Sequence, residues 1–215
     1  MSDRPVTMGK GWSRRACGAV LLALSASCWL VACDQNGSAQ PQAAAKFNGV
    51  DITGADYAQK LSLTDAGGQQ RSLADFKGKV VFVFFGFTQC PDVCPTTMAE
   101  LAEVRRRLGA DGSRVQGIFV TVDPERDTAP VLKAYVQAMD ASFIGLRGSL
   151  TEVAETAREF KVFYQKVPTK DGKGYTMDHT AGAFVFDPQG QVRLFVRYGQ
   201  GADALTADIK RLLAP

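Results

Sequence analysis

Two closely spaced cysteines and a single histidine are the residues of this chain with the most distinctive chemistry. Cys90 and Cys94 lie in the segment FVFFGFTQCPDVCPTT at 82–97, and His179, the only histidine among 215 residues, lies far downstream in MDHTAG. Thiolates favour soft metal ions such as Cu(I) and Zn(II), and imidazole also suits Cu(II). The three side chains are therefore suited to a soft-metal site, or the cysteines to a redox pair that the histidine assists.

The first residues of the chain have the pattern of an export signal. Lys10, Arg14 and Arg15 precede an apolar stretch at 16–30. This stretch leads into the sequence LVAC at 30–33. The stretch is shorter than the ~20 residues of a membrane span and is typical of the apolar part of a signal peptide. An uncleaved N-terminal anchor is the alternative. Both interpretations place the folded part of the protein outside the cytoplasm.

The end of the apolar stretch resembles a bacterial lipobox, in which the cysteine, here Cys33, is lipidated and becomes the first residue of the mature protein. Asp34 resembles the residue that retains such lipoproteins in the inner membrane. We therefore expect residues 1–32 to be a lipoprotein signal peptide, 33–46 a flexible tether rich in small and polar residues, and 47–215 one domain facing the periplasm.

The predicted signal peptide and lipidation site account for three of the five cysteines. Of the five in the chain, Cys17 and Cys28 leave with the signal and Cys33 carries lipid, so Cys90 and Cys94 are the thiols of the mature domain. A disulfide between them closes a very small loop and constrains the unfolded chain little, which makes a functional role more plausible than a structural one.

The charge pattern excludes one class of partner. The formal net charge of +3 is accounted for by the predicted signal peptide, so the mature chain is neutral. Without a basic surplus, a nucleic-acid partner is not expected.

Strand and helix patterns alternate along the predicted domain. They indicate a buried strand at 80–85, a helix from Pro95 to Leu108, a strand at 115–122, a helix around 131–139, a helix from Ser149 to Phe160, a hairpin of strands at 183–186 and 192–196, and a terminal helix around 205–212. This order predicts an α/β domain of the thioredoxin-like class, with a mixed central sheet flanked by helices.

The two cysteines then lie in the loop that leaves the buried strand. Each precedes a proline, which disfavours helical backbone at the cysteine, and Cys94 lies next to the start of the helix at Pro95. A helix N-terminus stabilises a thiolate, so we expect a lowered pKa for at least one thiol.

Several neighbouring residues have more than one interpretation. Asp178 either orients the histidine or is a solvated turn residue, and Asp92 either does the same or caps the loop. Met177 is expected to fill space in the core rather than to bind metal. Asp123-Pro124-Glu125 is expected to be structural, ending a strand and opening a helix, and residues 170–174 to form a hairpin tip.

Four segments together resemble the SCO/SenC family, the copper-binding assembly factors of cytochrome c oxidase. They are FNGVDITGADY at 47–57, LTDAGGQQRSLADFKGKVVFVFFGFTQCPDVCPTT at 63–97, TVDPERDT at 121–128 and MDHTAGAFVFDPQG at 177–190. The resemblance covers essentially the whole predicted domain. It implies that Cys90, Cys94 and His179 bind one copper ion, as Cu(I) or Cu(II).

The resemblance leaves two functions open. One is a metallochaperone that delivers copper to the copper-bearing subunit of the oxidase. The other is a thiol–disulfide oxidoreductase in which Cys90 and Cys94 are the catalytic redox pair, acting on that subunit or on another periplasmic copper chaperone. A thiol peroxidase is a weaker third. A dithiol reductase has no intrinsic need for His179, so we favour the copper-binding role, with the protein lipid-anchored in the bacterial inner membrane.

Overall fold

The computed structural model describes residues 46–214. The predicted signal peptide, Cys33 and all but the last residue of the predicted tether lie outside the described residues. The strands are β1 (Val50–Asp51), β2 (Ser62–Asp65), β3 (Gln70–Ser72), β4 (Val80–Gly86), β5 (Val115–Thr121), β6 (Ile144–Arg147), β7 (Tyr164–Pro168), β8 (Tyr175–His179), β9 (Gly182–Phe186) and β10 (Val192–Arg197). The helices are α1 (Val93–Arg107), α2 (Ala129–Met139), α3 (Leu150–Glu159) and α4 (Ala202–Leu213).

A mixed eight-stranded sheet forms the centre of the fold, in the order β1-β10-β9-β4-β5-β6-β2-β3. Its central strands, β4 and β5, are buried along their whole length, as continuous apolar sequences predict. They are parallel to each other, whereas β9 pairs antiparallel with β4 on the other side. β7 and β8 form a separate two-stranded sheet.

The helices bury apolar stripes against the central sheet. Helix α1 buries Met98, Leu101 and Val104 at three-residue spacing and contacts both α2 and α4. Helix α3 begins with the predicted capping box, in which the amide of Glu152 donates to the Ser149 hydroxyl and the Glu152 carboxylate accepts from the Ser149 amide. Among residues 46–214, no helix has the length and apolar character that crossing a membrane requires.

The predicted fold class is confirmed, and so are the strands, helices and hairpin listed above, with ends shifted by a few residues. One of these shifts matters for the site, because α1 begins at Val93 rather than at Pro95 and therefore includes Cys94. The segment Asp123-Pro124-Glu125 ends a strand as expected but does not open a helix directly, since α2 begins at Ala129.

The sheet topology brings three distant segments of the chain to one edge. The parallel strands β4 and β5 end side by side, and the loop that leaves the end of β4 carries Cys90 and leads into α1, whose first turn carries Cys94. Strand β9 starts at this same edge because it runs antiparallel to β4, with Ala183 paired to Phe84. His179 lies just before β9 and therefore reaches the cysteine loop.

Candidate metal centre

The structure brings together all three predicted ligand residues. One ligand atom from each of Cys90, Cys94 and His179 lies within 4.8 Å of the other two. The Cys94 Sγ is 3.4 Å from the His179 Nε2. Two thiols and one imidazole at these distances can converge on a single ion, and this donor set suits copper in either oxidation state.

The backbone of the cysteine loop fixes the two sulfurs near each other. The Cys90 amide donates to the carbonyl of Phe87 at 3.2 Å, which turns the chain after β4. The Cys94 amide donates to the Cys90 Sγ at 3.4 Å. Asp92 is the N-cap residue of α1, so Cys94 lies within the first helical turn. Both cysteines are free thiols in this structure.

Cys94 is deeply buried, and this changes its expected acidity. Its side chain is 0% exposed and belongs to the hydrophobic core. Burial raises the pKa of the Cys94 thiol above its ordinary value. The prediction of a lowered pKa is therefore wrong for Cys94 in the metal-free protein, because the loss of hydration outweighs the backbone hydrogen bond with Phe87 that would lower this pKa.

The hydrogen bonding of His179 presents its other nitrogen to the thiol. The Nδ1 lies 3.1 Å from the carbonyl oxygen of Thr180, which only accepts, so Nδ1 carries the proton and Nε2 has its lone pair free. The rings of Phe84 and Phe87 each pack edge-on against the imidazole at 5.9 Å. Burial lowers the pKa of His179, which favours the neutral form that binds metals.

The residues with two interpretations lie around this centre. Asp178 is exposed and pairs across the hairpin with Gln165, while the Thr180 carbonyl, not the Asp178 carboxylate, accepts from the imidazole. Asp92 is an exposed helix cap, hydrogen bonded to Thr96. Met177 is buried in the core, as expected of a space-filling side chain. The contacts of both aspartates favour their structural interpretation.

The loop after β5 is part of the site, although its sequence pattern did not indicate this. Asp127 is fully buried and accepts hydrogen bonds from the Thr88 amide at 3.1 Å, the Thr88 hydroxyl at 2.6 Å and the Thr121 hydroxyl at 2.5 Å. It thereby holds the chain two residues before Cys90. The motif VDPERD at 122–127 carried this information, but an acidic, proline-containing segment at a strand end is also an ordinary turn.

Comparison with known proteins agrees with this geometry. The SCO1/SenC family model matches residues 50–214. The chain belongs to the SCO1/SenC family. The resemblance inferred from the sequence motifs is thus confirmed.

Three relatives illustrate the similarity of this family member to others. The Bos taurus protein SCO2 homolog, mitochondrial, is 36% identical over 156 residues, which are 72% of this chain and 59% of that one. The structure of Bradyrhizobium japonicum ScoI with copper bound is 41% identical, with a TM-score of 0.64, covering 71% of this chain and 97% of that chain. Apo Sco1 from Thermus thermophilus is 39% identical, with a TM-score of 0.69, covering 78% and 97%. This chain spans about three fifths of the length of its curated SCO2 relatives.

Proposed function

We propose that this SCO1/SenC protein is a copper metallochaperone that carries one copper ion on Cys90, Cys94 and His179 and assists assembly of a copper site in cytochrome c oxidase. The observation that carries the proposal is the convergence of the three ligand atoms within 4.8 Å. The 41% identical ScoI was solved with copper bound, which supports copper as the ion.

The chemistry of each ligand fits uptake and release of a cargo ion. Metal binding requires both sulfurs as thiolates, and a bound cation supplies the positive charge that stabilises a thiolate at the buried Cys94. Cys90 is only half-buried and packs at the margin of the core. The ion is therefore held between an inner thiol and an outer one, and a partner's ligands can reach it from the Cys90 side.

A second candidate function has its own supporting observation. Both cysteines are free thiols, and the Cys94 amide lies 3.4 Å from the Cys90 Sγ, so the two side chains are near neighbours. In this alternative, the dithiol is oxidised to a disulfide while a disulfide in the oxidase subunit, or in another periplasmic copper chaperone, is reduced to two thiols. Two electrons and two protons pass to the partner, and His179 is not needed.

The substitution His179→Ala separates the two functions. In cells lacking the native protein, copper delivery requires the imidazole, so this variant is expected to fail to restore oxidase activity, whereas a pure reductase is expected to tolerate it. Lys170→Ala, at the exposed hairpin tip, is the control and should restore activity fully. Full restoration by His179→Ala would reject the metallochaperone and favour the oxidoreductase.

We further propose that the protein is lipidated at Cys33 and held at the bacterial inner membrane with its domain in the periplasm. The proposal rests on the basic residues, the short apolar stretch and the LVAC sequence at 30–33. Cys33→Ser is expected to abolish labelling by a lipid precursor. Unchanged labelling would refute it.

A further inference from the structure

Arg126 lies where the strands that carry His179 meet the loop that carries Cys90. Its Nη1 donates to the side-chain oxygen of Gln89 at 3.0 Å and to the backbone carbonyl of Tyr175 at 2.8 Å. Gln89 directly precedes Cys90, and Tyr175 lies four residues before His179 on β8. One guanidinium therefore touches both ligand-bearing segments.

The hairpin of β7 and β8 depends on few polar contacts with the body of the domain. Among the described strands, it pairs with none of the central sheet. Within residues 46–214, its hydrogen bonds to that body are the contact of His179 with Cys94 and contacts with the loop at 123–126. That loop supplies Arg126 and Asp123 to Tyr175, and Glu125 to Lys166.

A compact group of three side chains makes several of these contacts. The Arg126 guanidinium lies 3.8 Å from the centre of the Tyr175 ring, and its Nε donates to the Asp123 carboxylate. The Tyr175 hydroxyl donates to the same carboxylate at 2.9 Å, which closes the group. We call Arg126, Asp123 and Tyr175 the Arg126 cluster.

The burial of this cluster restricts which side chain can occupy position 126. The Asp123 side chain is 0% exposed and that of Arg126 is 21% exposed. The Arg126 Nη2 is buried and has no hydrogen-bond partner within the described residues, so this end of the guanidinium relies on the aromatic faces beside it. Only a planar, forked cation can stack on a ring and donate to three acceptors at once, so lysine cannot replace it.

The Arg126 guanidinium also contacts Phe87, an aromatic residue that packs against the His179 imidazole. Its carbon lies 5.8 Å from the centre of the Phe87 ring, and that ring packs edge-on against His179 at 5.9 Å. Arg126 is thus connected to His179 in two ways, through the backbone of β8 and through Phe87.

We propose that Arg126 is a positioning residue for the metal centre. The Arg126 cluster holds the β7–β8 hairpin, which carries His179, over the two cysteines before metal binds. This inference rests on the proposed ligation of copper by His179. It concerns a residue that touches neither sulfur and is not a ligand itself. Its function is to keep the imidazole close to the thiols, so that binding does not require the hairpin to be ordered first.

The first test measures the hairpin without any metal. In the reduced, metal-free protein, Arg126→Lys is expected to raise amide hydrogen exchange at Val167 and Thr176, a hydrogen-bonded pair of the hairpin, at least tenfold, while exchange in β4 and β5 stays unchanged. Arg105→Lys is the matched control, because Arg105 is also a partly buried arginine, paired with Asp140 and lying 5.6 Å from the Phe143 ring, away from the site. Unchanged exchange in the hairpin of Arg126→Lys would overturn the proposal.

The second test asks whether Arg126 acts through His179. Arg126→Lys is expected to weaken Cu(II) binding about tenfold and Cu(I) binding much less, and to have no further effect in a protein that already carries His179→Ala. An equal loss in both backgrounds would overturn the positioning role. If His179→Ala itself leaves copper binding unchanged, the proposed ligand set fails, and the exchange measurement still decides whether Arg126 orders the hairpin.

A third test uses a smaller change to the same cluster, in case Arg126→Lys prevents the protein from folding. Tyr175→Phe keeps the aromatic ring under Arg126 and removes only the hydroxyl that donates to Asp123. It should shift hairpin exchange and Cu(II) affinity in the same direction as Arg126→Lys, by a smaller factor. A folded Tyr175→Phe protein with wild-type exchange and affinity would contradict the role of the cluster.

Discussion

At the scale of single residues, the candidate metal centre is asymmetric. Cys94 is fully buried with a raised pKa, and Cys90 is half-buried at the surface. Burial penalises an isolated thiolate, but a metal cation removes this penalty by replacing the proton. The buried sulfur fits because Gly86 has no side chain: a Cβ at this position would lie 2.8 Å from the Cys94 Sγ and 2.9 Å from the Phe119 ring.

Gly86→Ala should therefore disturb the metal centre specifically. We expect the added methyl group to displace Cys94, to cost about 1–3 kcal/mol of stability through overpacking and to weaken copper binding about tenfold. Stability is measured by urea unfolding and affinity by competition with a chromogenic copper chelator.

Gly117→Ala is the matched control for this substitution. A Cβ at Gly117 would lie 2.5 Å from the Phe143 ring and 2.9 Å from Leu101, in the neighbouring strand and away from the cysteines. It should cost similar stability and leave copper affinity unchanged. A similar loss of affinity in both variants would show that general destabilisation, not crowding of Cys94, weakens binding.

At the scale of elements, the three candidate ligands come from a loop and the ends of two elements: Cys90 lies in the loop after β4, Cys94 in the first turn of α1 and His179 at the end of β8. The loop after β5 anchors both sides of the centre: Asp127 accepts from Thr88 beside the cysteine loop, and Arg126 donates to Tyr175 beside the histidine. Sequence patterns predicted the strands and helices because their apolar periodicity is strong. They did not predict this bracing, because its contacts join residues far apart in the chain.

The substitution Asp127→Asn tests the anchor on the cysteine side. All three groups that donate to this carboxylate are hydroxyl or amide donors, and asparagine replaces one acceptor oxygen with a donor. We expect a loss of about 1–3 kcal/mol in the free energy of unfolding and weaker copper binding.

Asp208→Asn provides the control because Asp208 is equally buried and accepts from Asn48, Gly49 and Gln200, far from the cysteines in the fold. Its stability loss should be comparable and its copper affinity normal. Normal affinity in Asp127→Asn, measured with the same chelator, would show that the anchor does not support the centre.

At the scale of the whole molecule, the fold class, the main strands and helices and the three candidate ligands were all predictable from the sequence. The continuous apolar strands, the capping box at Ser149 and the cysteine–proline motif each have a local physical signature. The hairpin tip expected at 170–174 is confirmed, because β7 and β8 pair on either side of it. The bounds of these two strands were not predicted, because most of their side chains are exposed or half-buried, which leaves no clear apolar alternation. The raised pKa of Cys94 was missed because burial depends on the assembled core.

One partly buried carboxylate, that of Glu100, is expected to lower the free energy of unfolding at neutral pH. Glu100 on α1 has a buried Oε1 without a hydrogen-bond partner among the described residues, and burial raises its pKa, although a backbone contact with Gly201 opposes this. The folded state thus holds the Glu100 proton more tightly than the unfolded state, so this group's contribution to stability falls as pH rises through the interval above ~4.3.

Glu100→Gln should remove this penalty and raise the melting temperature at pH 7 by about 2 °C, with no change near pH 3.5, where the carboxyl is protonated in both states. Calorimetry at the two pH values checks the expectation. An equal shift at both values would mean that ionisation of Glu100 is not the cause.

Copper titration of the reduced protein decides whether Cys90, Cys94 and His179 together hold copper. We expect one ion per chain. Cys90→Ala and Cys94→Ala should each abolish tight binding of both oxidation states, whereas His179→Ala should weaken Cu(II) more than Cu(I), because two thiolates already satisfy Cu(I) and Cu(II) prefers a further nitrogen ligand. Wild-type affinity in either cysteine variant, or equal losses of Cu(I) and Cu(II) in His179→Ala, would contradict the ligand assignment.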